Sequence, residues 1–210
     1  MQPNDQFQDI LPTPTEDDIF FMRDELDELN LLIKRNERVV IAGGPVIAWW
    51  GFTGFAAGLW NFLWGLHLVP TIPVDPINAV AGYAGMFAIV HIMGSAKVLK
   101  LEFKAISAVW TGICMAIPLL LLGFSYRHVD NMMLMSGIQA ILFAIAIGVS
   151  AMGSQKRWLL YPTAGWVVSA LIYFFVINSF WRPLFFSLDC LAFLVIPGVY
   201  LGIIYQRERP

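Results

Sequence analysis

Six long apolar stretches follow one another along the chain after Arg38, with few charged side chains inside them. Their bounds are Val39–Val74, Pro76–Ala96, Ala105–Tyr126, Asn131–Gln155, Trp158–Trp181 and Pro183–Gln206. A helix needs about 20 apolar residues to cross a bilayer core, so each stretch is long enough for one crossing. The stretches lack the strict alternation of apolar and polar residues that is typical of the strands of a membrane β-barrel. The pattern therefore predicts an all-α membrane protein with six transmembrane helices.

A different pattern precedes the first stretch and predicts a cytoplasmic amphipathic helix. Thr15-Glu16-Asp17-Asp18 is typical of a helix start, with a hydroxyl cap and acids in the first turn. Apolar residues then recur at three- and four-residue spacing, as in a coiled coil. They are Ile19, Met22, Leu26, Leu29 and Ile33. The helix is predicted to end at Gly43-Gly44-Pro45, a hinge before the first crossing.

These two patterns divide the chain into four parts. Residues 1–14 are predicted to be an acidic disordered N-terminus and residues 15–42 the amphipathic helix. Residues 43–206 form the transmembrane bundle, and residues 207–210 form a cytoplasmic tail. The apolar stripe of the amphipathic helix has two interpretations. It packs on the cytoplasmic end of the bundle, or it binds a second copy of the chain or a cytoplasmic protein partner.

Composition agrees with a protein embedded in lipid. The chain is 58% hydrophobic and 13% charged, whereas soluble domains carry about 25% charged residues. The acidic start is not the basic region of a secretory signal peptide, so a cleaved signal is not expected. Acids on the polar face of the amphipathic helix argue against binding nucleic acid and against lying flat on anionic lipid. These acids are Asp24, Glu25, Asp27 and Glu28.

The placement of lysine and arginine predicts the orientation. Eleven of the 13 basic residues lie before the first stretch, in the second and fourth connections, or in the tail. The other connections hold only Arg127 and Arg182. Cytoplasmic loops of membrane proteins carry the excess of positive charge. Both termini are therefore expected in the cytoplasm.

Asp189 is the one acid within the apolar stretches. Acids inside a membrane are costly and are functional candidates by default. Arg182, one heptad earlier, could reach it, as could Arg127 or His128. Other polar residues are expected in the same half of the bilayer, and the predicted intramembrane polar site consists of Asp189, Arg182, Asn61, Asn78, Gln139 and Asn178. Two interpretations stay open: a structural polar link with ordinary hydrogen bonds between helices, or an outward-facing cavity with a proton or cation site.

Small residues indicate where helices approach closely. Gly51, Gly54 and Gly58 are spaced along the first stretch, with Gly54 and Gly58 forming a GxxxG pair. Met-Gly-Ser recurs at Met93–Ser95 and Met152–Ser154, each followed soon by a lysine. This recurrence indicates either a duplicated hairpin or two helices that end independently with the same residues.

Motifs of enzymes are missing from the sequence: it has no HExxH, GxSxG, P-loop or GxGxxG pattern. The two cysteines, Cys114 and Cys190, lie within apolar stretches, where they are typically packing residues. We therefore expect no catalytic residues, no metal and no cofactor.

The order of features resembles a group of uncharacterised bacterial six-span inner-membrane proteins. The stretches that carry the resemblance are Asp17–Glu28, Gly43–Trp60 and Ile196-Pro197-Gly198 through Arg207. The resemblance implies placement in the inner membrane and does not point to any particular activity. The expected function is that of a non-enzymatic interaction or regulatory membrane protein. The alternative is a small-solute or proton-coupled transporter with an outward-facing polar cavity around Asp189.

Overall fold

The computed structural model describes residues 16–92, 105–126 and 132–208, and these ranges are helical with short connections. Their helices are α1 (Glu16–Gly65), α2 (Val74–Ile92), α3 (Ala105–Tyr126), α4 (Met132–Ser154), α5 (Leu160–Phe175) and α6 (Arg182–Arg207). A 3₁₀ turn, Arg157–Leu159, precedes α5. No strand occurs within the described ranges, so the prediction of an all-helical protein is confirmed.

Four segments of the described chain are long and apolar enough to cross a membrane: Phe20–Gly65, Leu134–Ser154, Arg157–Phe175 and Arg182–Arg207. Two shorter apolar helices are Pro76–Ile92 and Ala108–Ile117. Large apolar side chains such as Val168, Leu171 and Phe175 point outward from the bundle. Because an extensive apolar exterior is unfavourable in water, these helices indicate association with a membrane.

The first helix corrects the predicted boundary at residue 42. α1 runs without interruption through Gly43, Gly44 and Pro45, so the expected hinge is absent. Packing explains why the local helix-breaking signals do not prevail. Gly44 lies directly against the backbone of Gly198 and Gly202, where an added Cβ would come within 2.9 Å of it. Tertiary contacts of this kind commonly override local propensity.

α1 and α6 form a close antiparallel pair through small residues on both helices. Successive glycines of α1 meet residues of α6 in reverse order. Gly51 lies at Leu194, Gly54 at Cys190, and Gly58 at Ser187. The fully buried Ser187 Oγ lies 3.0 Å from Phe55 O, within hydrogen-bonding distance. The structure thus places the three predicted packing glycines at a contact within the chain.

The remaining helices surround this pair. α4 and α5 pack as a hairpin, with the fully buried Trp166 of α5 5.0 Å from the ring centre of Phe143. α2 packs on α1, and α3 packs on α4. The buried core extends from Val39–Ile41 of α1 through α4 and α5 to Leu194 and Leu201 of α6.

A widened π-helical turn, Leu191–Val195, interrupts α6. It comes just before Pro197, which has no N–H to donate to the carbonyl of Phe193 one turn earlier. The helix therefore accommodates Pro197 through an extra residue in the preceding turn. Asp189 and Cys190 come immediately before this turn.

The end of α4 differs from its predicted glycine cap. Gly153 lies inside α4, and Gln155 is the residue with positive φ, 54°. A Cβ on Gly153 would come within 2.7 Å of Ile106 Cδ1, so this glycine accommodates α3. Met93–Ser95, the other Met-Gly-Ser, lies outside the described residues, as do residues 1–14, Arg127 and His128.

Candidate functional site

A cavity of about 710 Å³ lies inside the bundle and is lined by α1, α2, α3, α4 and α6. Along α1 it extends from Val39 to Trp64, a length of about 37 Å at about 1.5 Å per residue. The hydrocarbon core of a bilayer is about 30 Å thick. The cavity therefore follows most of the length of the bundle.

Four of the six residues of the predicted polar site line this cavity: Asn61, Asn78, Gln139 and Arg182. They belong to four different helices, at the end of the bundle where α1 ends and α2, α4 and α6 begin. Ser136 and Ser179 line the same end. We call this region the polar end of the cavity. The elements bring these side chains together because consecutive helices are antiparallel.

Arg182 is the charged group of the polar end, and it is only 3% exposed. Its Nη2 donates a hydrogen bond to Ile177 O at 3.3 Å, just past the end of α5. Its Nε is buried and has no hydrogen-bond partner. Among the described side chains, no carboxylate forms an ion pair with this guanidinium.

Asp189 does not line the cavity. It lies in a separate groove between α5 and α6 with Ser169, Tyr173 and Phe185. The hydroxyl of Tyr173 donates a hydrogen bond to Asp189 Oδ2, and Ser169 lines the same groove. Seven residues separate Asp189 from Arg182, which is about 10 Å along a helix. This separation explains why the expected contact with Arg182 is replaced by one with α5.

Asn178, the last predicted member of the site, is exposed in the connection before α6. Its Oδ1 accepts a hydrogen bond from Phe180 N at 3.0 Å, and Ser179 Oγ lies 3.2 Å away. These contacts are typical of an Asx turn. Asn178 therefore shapes the connection and is separate from the cavity lining.

Sequence analysis missed Tyr83, which closes the cavity between α2 and α3. Its hydroxyl donates a hydrogen bond to the carbonyl oxygen of Cys114 on α3. Both residues line the cavity. A tyrosine in the middle of an apolar stretch was the available signal, because a buried tyrosine hydroxyl normally finds a partner.

Trp49 and Trp50 lie within the bundle, where both face α2. Trp49 Nε1 donates a hydrogen bond to Ala81 O at 3.0 Å. The ring of Trp50 covers Gly82, and its buried Nε1 has no partner. Trp50 also lines the cavity, so it presents an unused donor there. Gly82 and Gly85 on α2, one turn apart, were the missed signal of a facing aromatic pair.

The opposite end of the cavity is largely apolar. Val39, Val40 and Gly43 of α1 line it with Val90 of α2 and Ile106 of α3. Ser150, a polar residue near this end, is already engaged: it accepts from Trp110 Nε1 at 2.9 Å and donates to Ala146 O at 2.8 Å. The cavity thus has one polar end and one apolar end. We call the latter the apolar end.

The predicted contact stripe is exposed on the N-terminal segment of α1, residues 16–38, which we call the extension. Met22, Leu26 and Leu29 are 49%, 59% and 55% exposed. Ile33 is half-buried, and the side chain of Ile19 lies outside the described set. The extension continues the axis of α1, so its stripe does not fold back onto the bundle. Glu37 at its base forms an ion pair of 2.5 Å with Lys156.

Potential metal ligands do not cluster in the described chain. No three His, Cys, Asp or Glu side chains there come together in a group that could hold a metal ion. Cys114 and Cys190 are both free thiols.

Comparison of the chain with protein-family models, curated proteins and solved structures finds no match in any of the three.

Proposed function

We propose that the chain is a multi-pass inner-membrane protein that acts by protein contact, without catalysis of its own. Six apolar stretches support six crossings, with α2 and α3 added to the four long apolar segments. The asymmetry of basic residues supports cytoplasmic termini. In this proposal the extension of α1 stands in the cytoplasm and binds a protein, either a second copy of the chain or a soluble partner.

One observation carries the proposal: the apolar side chains of the extension are exposed. Besides the predicted stripe, Phe20 and Phe21 are 65% and 71% exposed. The buried core of the described chain includes no residue of the extension. A contiguous exposed apolar patch marks an interaction surface in soluble regions of proteins. The acids on the same helix disfavour the surface of an anionic membrane as the target.

Paired substitutions in the full-length chain test this contact. Leu26→Gln with Leu29→Gln removes apolar contact area from the stripe and retains helix propensity. Asp24→Gln with Asp27→Gln is the matched control on the polar face. We expect the first pair to abolish the cross-linked species that the chain forms with its protein partner in cells, or to lower the particle mass in detergent. The control pair should retain both the cross-linked species and the particle mass. Equal behaviour of the two pairs and the wild type would contradict the proposal.

The number and direction of the crossings have their own test. Cys114→Ala and Cys190→Ala give a background without thiols, into which single cysteines are introduced. Thr71→Cys, between α1 and α2, is expected to react with a membrane-impermeant maleimide from the periplasm. Gln155→Cys, between α4 and α5, is expected to react only after permeabilisation. The reverse pattern would overturn the orientation, and with it the cytoplasmic placement of the extension.

A second candidate function is a small-solute carrier, and the cavity is the observation that favours it. Asn61, Asn78, Gln139 and Arg182 line its polar end, which faces outward in the proposed orientation. Asp189 hydrogen-bonds Tyr173 in a separate groove, so a proton-coupled mechanism centred on Asp189 would act outside this cavity. Transport that is unaffected by Asp189→Asn but lost with Gln139→Leu would support a carrier working through the cavity.

A further inference from the structure

Arg182 is a buried cation whose counter-ion is not found among the described side chains. A guanidinium has five N–H donors, and the hydrogen bond to Ile177 O uses one of them. Nε is buried without an acceptor. A buried charge is strongly disfavoured unless it is paired and hydrogen-bonded. An anion at the polar end of the cavity would satisfy both requirements.

Neutral polar groups at the polar end of the cavity suit an oxygen-rich head group. Asn78 Oδ1 is buried there without a partner. Asn61 and Gln139 add two more amides. Since an amide offers both donors and an acceptor, this set can bind anionic oxygens together with a hydroxyl or an ester.

The rest of the cavity favours an apolar chain. Between the polar end and the apolar end, its walls are formed mainly by residues such as Ile47, Ala57, Met86, Ile113 and Phe143. A volume of about 710 Å³ lies within the range of about 300–1,000 Å³ typical of small-molecule sites. A small polar solute would leave most of this apolar length unfilled, whereas an acyl chain suits its elongated shape and its apolar walls.

We propose that the cavity binds an amphiphile with an anionic head group, placing the carboxylate or phosphate on Arg182 and an acyl chain along α1 toward Gly43. The binding site requires no protein partner, and it is independent of whether the ligand is transported. A free fatty acid and an anionic membrane phospholipid share this chemistry. The experiment below distinguishes these two sources.

Tryptophans in the cavity wall provide the readout. Trp50, Trp64 and Trp110 line the cavity, and brominated acyl chains quench tryptophan fluorescence on contact. Full-length protein in an uncharged detergent is titrated with dibromostearate, with dibrominated phosphatidylglycerol, and with dibrominated phosphatidylcholine as the zwitterionic control. We expect saturable quenching by one or both anionic probes, at concentrations about tenfold or more below those at which phosphatidylcholine acts. The more potent anionic probe identifies the source.

Variants at the two ends of the cavity separate the head group from the chain. Arg182→Gln is expected to lower the affinity for the anionic probe about tenfold or more, and Arg182→Lys is expected to retain part of that affinity. Arg157→Gln, an exposed arginine outside the cavity lining, is the matched control and should bind as the wild type does. Equal quenching by the wild type and Arg182→Gln would overturn the proposal, as would equal potency of phosphatidylcholine.

Gly43→Leu keeps the proposal testable if Arg182→Gln fails to fold. An added Cβ at Gly43 meets nothing within 4 Å, so leucine can extend into the apolar end. Excluding two methylenes of an acyl chain should lower the affinity for dibromostearate about tenfold. Bromooctanoate, whose chain does not reach Gly43, should bind unchanged. If Gly43→Leu leaves both probes unaffected, the chain does not occupy this cavity.

A counter-ion from the chain itself is the rival explanation, and it predicts a different result. The side chains of Asp75 and Asp130 lie outside the described set, next to the starts of α2 and α4. If one of them neutralises Arg182, its replacement by Asn should destabilise lipid-free protein as Arg182→Gln does, with no difference between the probes. That outcome would overturn the proposal. Unchanged stability of Asp75→Asn and Asp130→Asn, with selective quenching, supports it.

Discussion

Tyr173 of α5 donates its hydroxyl hydrogen to the carboxylate of Asp189 on α6, one residue before Cys190 and the π-helical turn. Tyr173 is 1% exposed, so its hydroxyl has little access to any other partner. The contact joins two helices at the point where the hydrogen-bond pattern of α6 changes. Asp189 thus acts here as an acceptor that positions α5 against α6.

Replacing Tyr173 by Phe is expected to lower the stability of the bundle. The substitution removes the donor and leaves Asp189 Oδ2 without it, at a cost of about 1–3 kcal/mol. Tyr161→Phe is the matched control, because Tyr161 lies on the same helix and is 80% exposed. The thermal midpoint in detergent is the measurement. A Tyr173→Phe protein as stable as Tyr161→Phe would show that the bond contributes nothing.

Adjacent glycines of α1 should respond oppositely to alanine. At Gly44 a Cβ would lie 2.9 Å from Gly198 O and from Gly202 N, so Gly44→Ala must push α1 and α6 apart. Overpacking of this kind costs about 1–3 kcal/mol. At Gly43 a Cβ has nothing within 4 Å, and alanine favours the helix by up to about 1 kcal/mol. Comparable thermal midpoints for the two variants would contradict the close α1–α6 contact.

The base of the extension is held by the ion pair between Glu37 and Lys156. Both side chains are about one-third exposed, so the pair is worth about 0.2–1 kcal/mol and weakens with salt. Glu37→Lys should lower the thermal midpoint slightly at low ionic strength. The double variant Glu37→Lys with Lys156→Glu should restore it. A double variant no better than the single one would argue against this pairing.

Loss of the Tyr83 hydroxyl should loosen the wall between α2 and α3. Tyr83→Phe deprives Cys114 O of a side-chain donor while preserving the contact of the ring with Trp50. We expect faster alkylation of Cys114, which lines the cavity beside this bond. Tyr200→Phe, on the exposed face of α6, is the control. Identical rates of alkylation in the wild type and both variants would show that the bond does not govern access.

The sequence predicted the helices well because hydrophobic length is a local property. The stretches after Arg38 contain the helices α2 to α6, and the small-residue face of α1 was visible at Gly51, Gly54 and Gly58. Six crossings stay a prediction, since four helices of the described chain meet the length and hydropathy of a crossing.

Pairing between helices could not be derived in the same way. Gly43-Gly44-Pro45 carries every local sign of a helix end, yet the approach of Gly198 makes it part of a continuous helix. The partition of Arg182 and Asp189 into different sites depends on which neighbouring helix each one faces. Arg182 and three of the predicted amides line one cavity, whereas Asp189 lies in a different groove, so the structure does not bring the predicted residues into one cluster.

The continuity of α1 has a mechanical consequence. Residues 16–38 project about 34 Å as a rod beyond the first buried residue, Val39. The same rod continues inward as a wall of the cavity up to Trp64. Because α1 has no break at Gly43-Gly44-Pro45, a protein that binds and rotates the extension would also rotate the part of α1 that lines the cavity. In the proposed function, α1 thus connects the surface of the extension that binds a protein to the wall of the cavity.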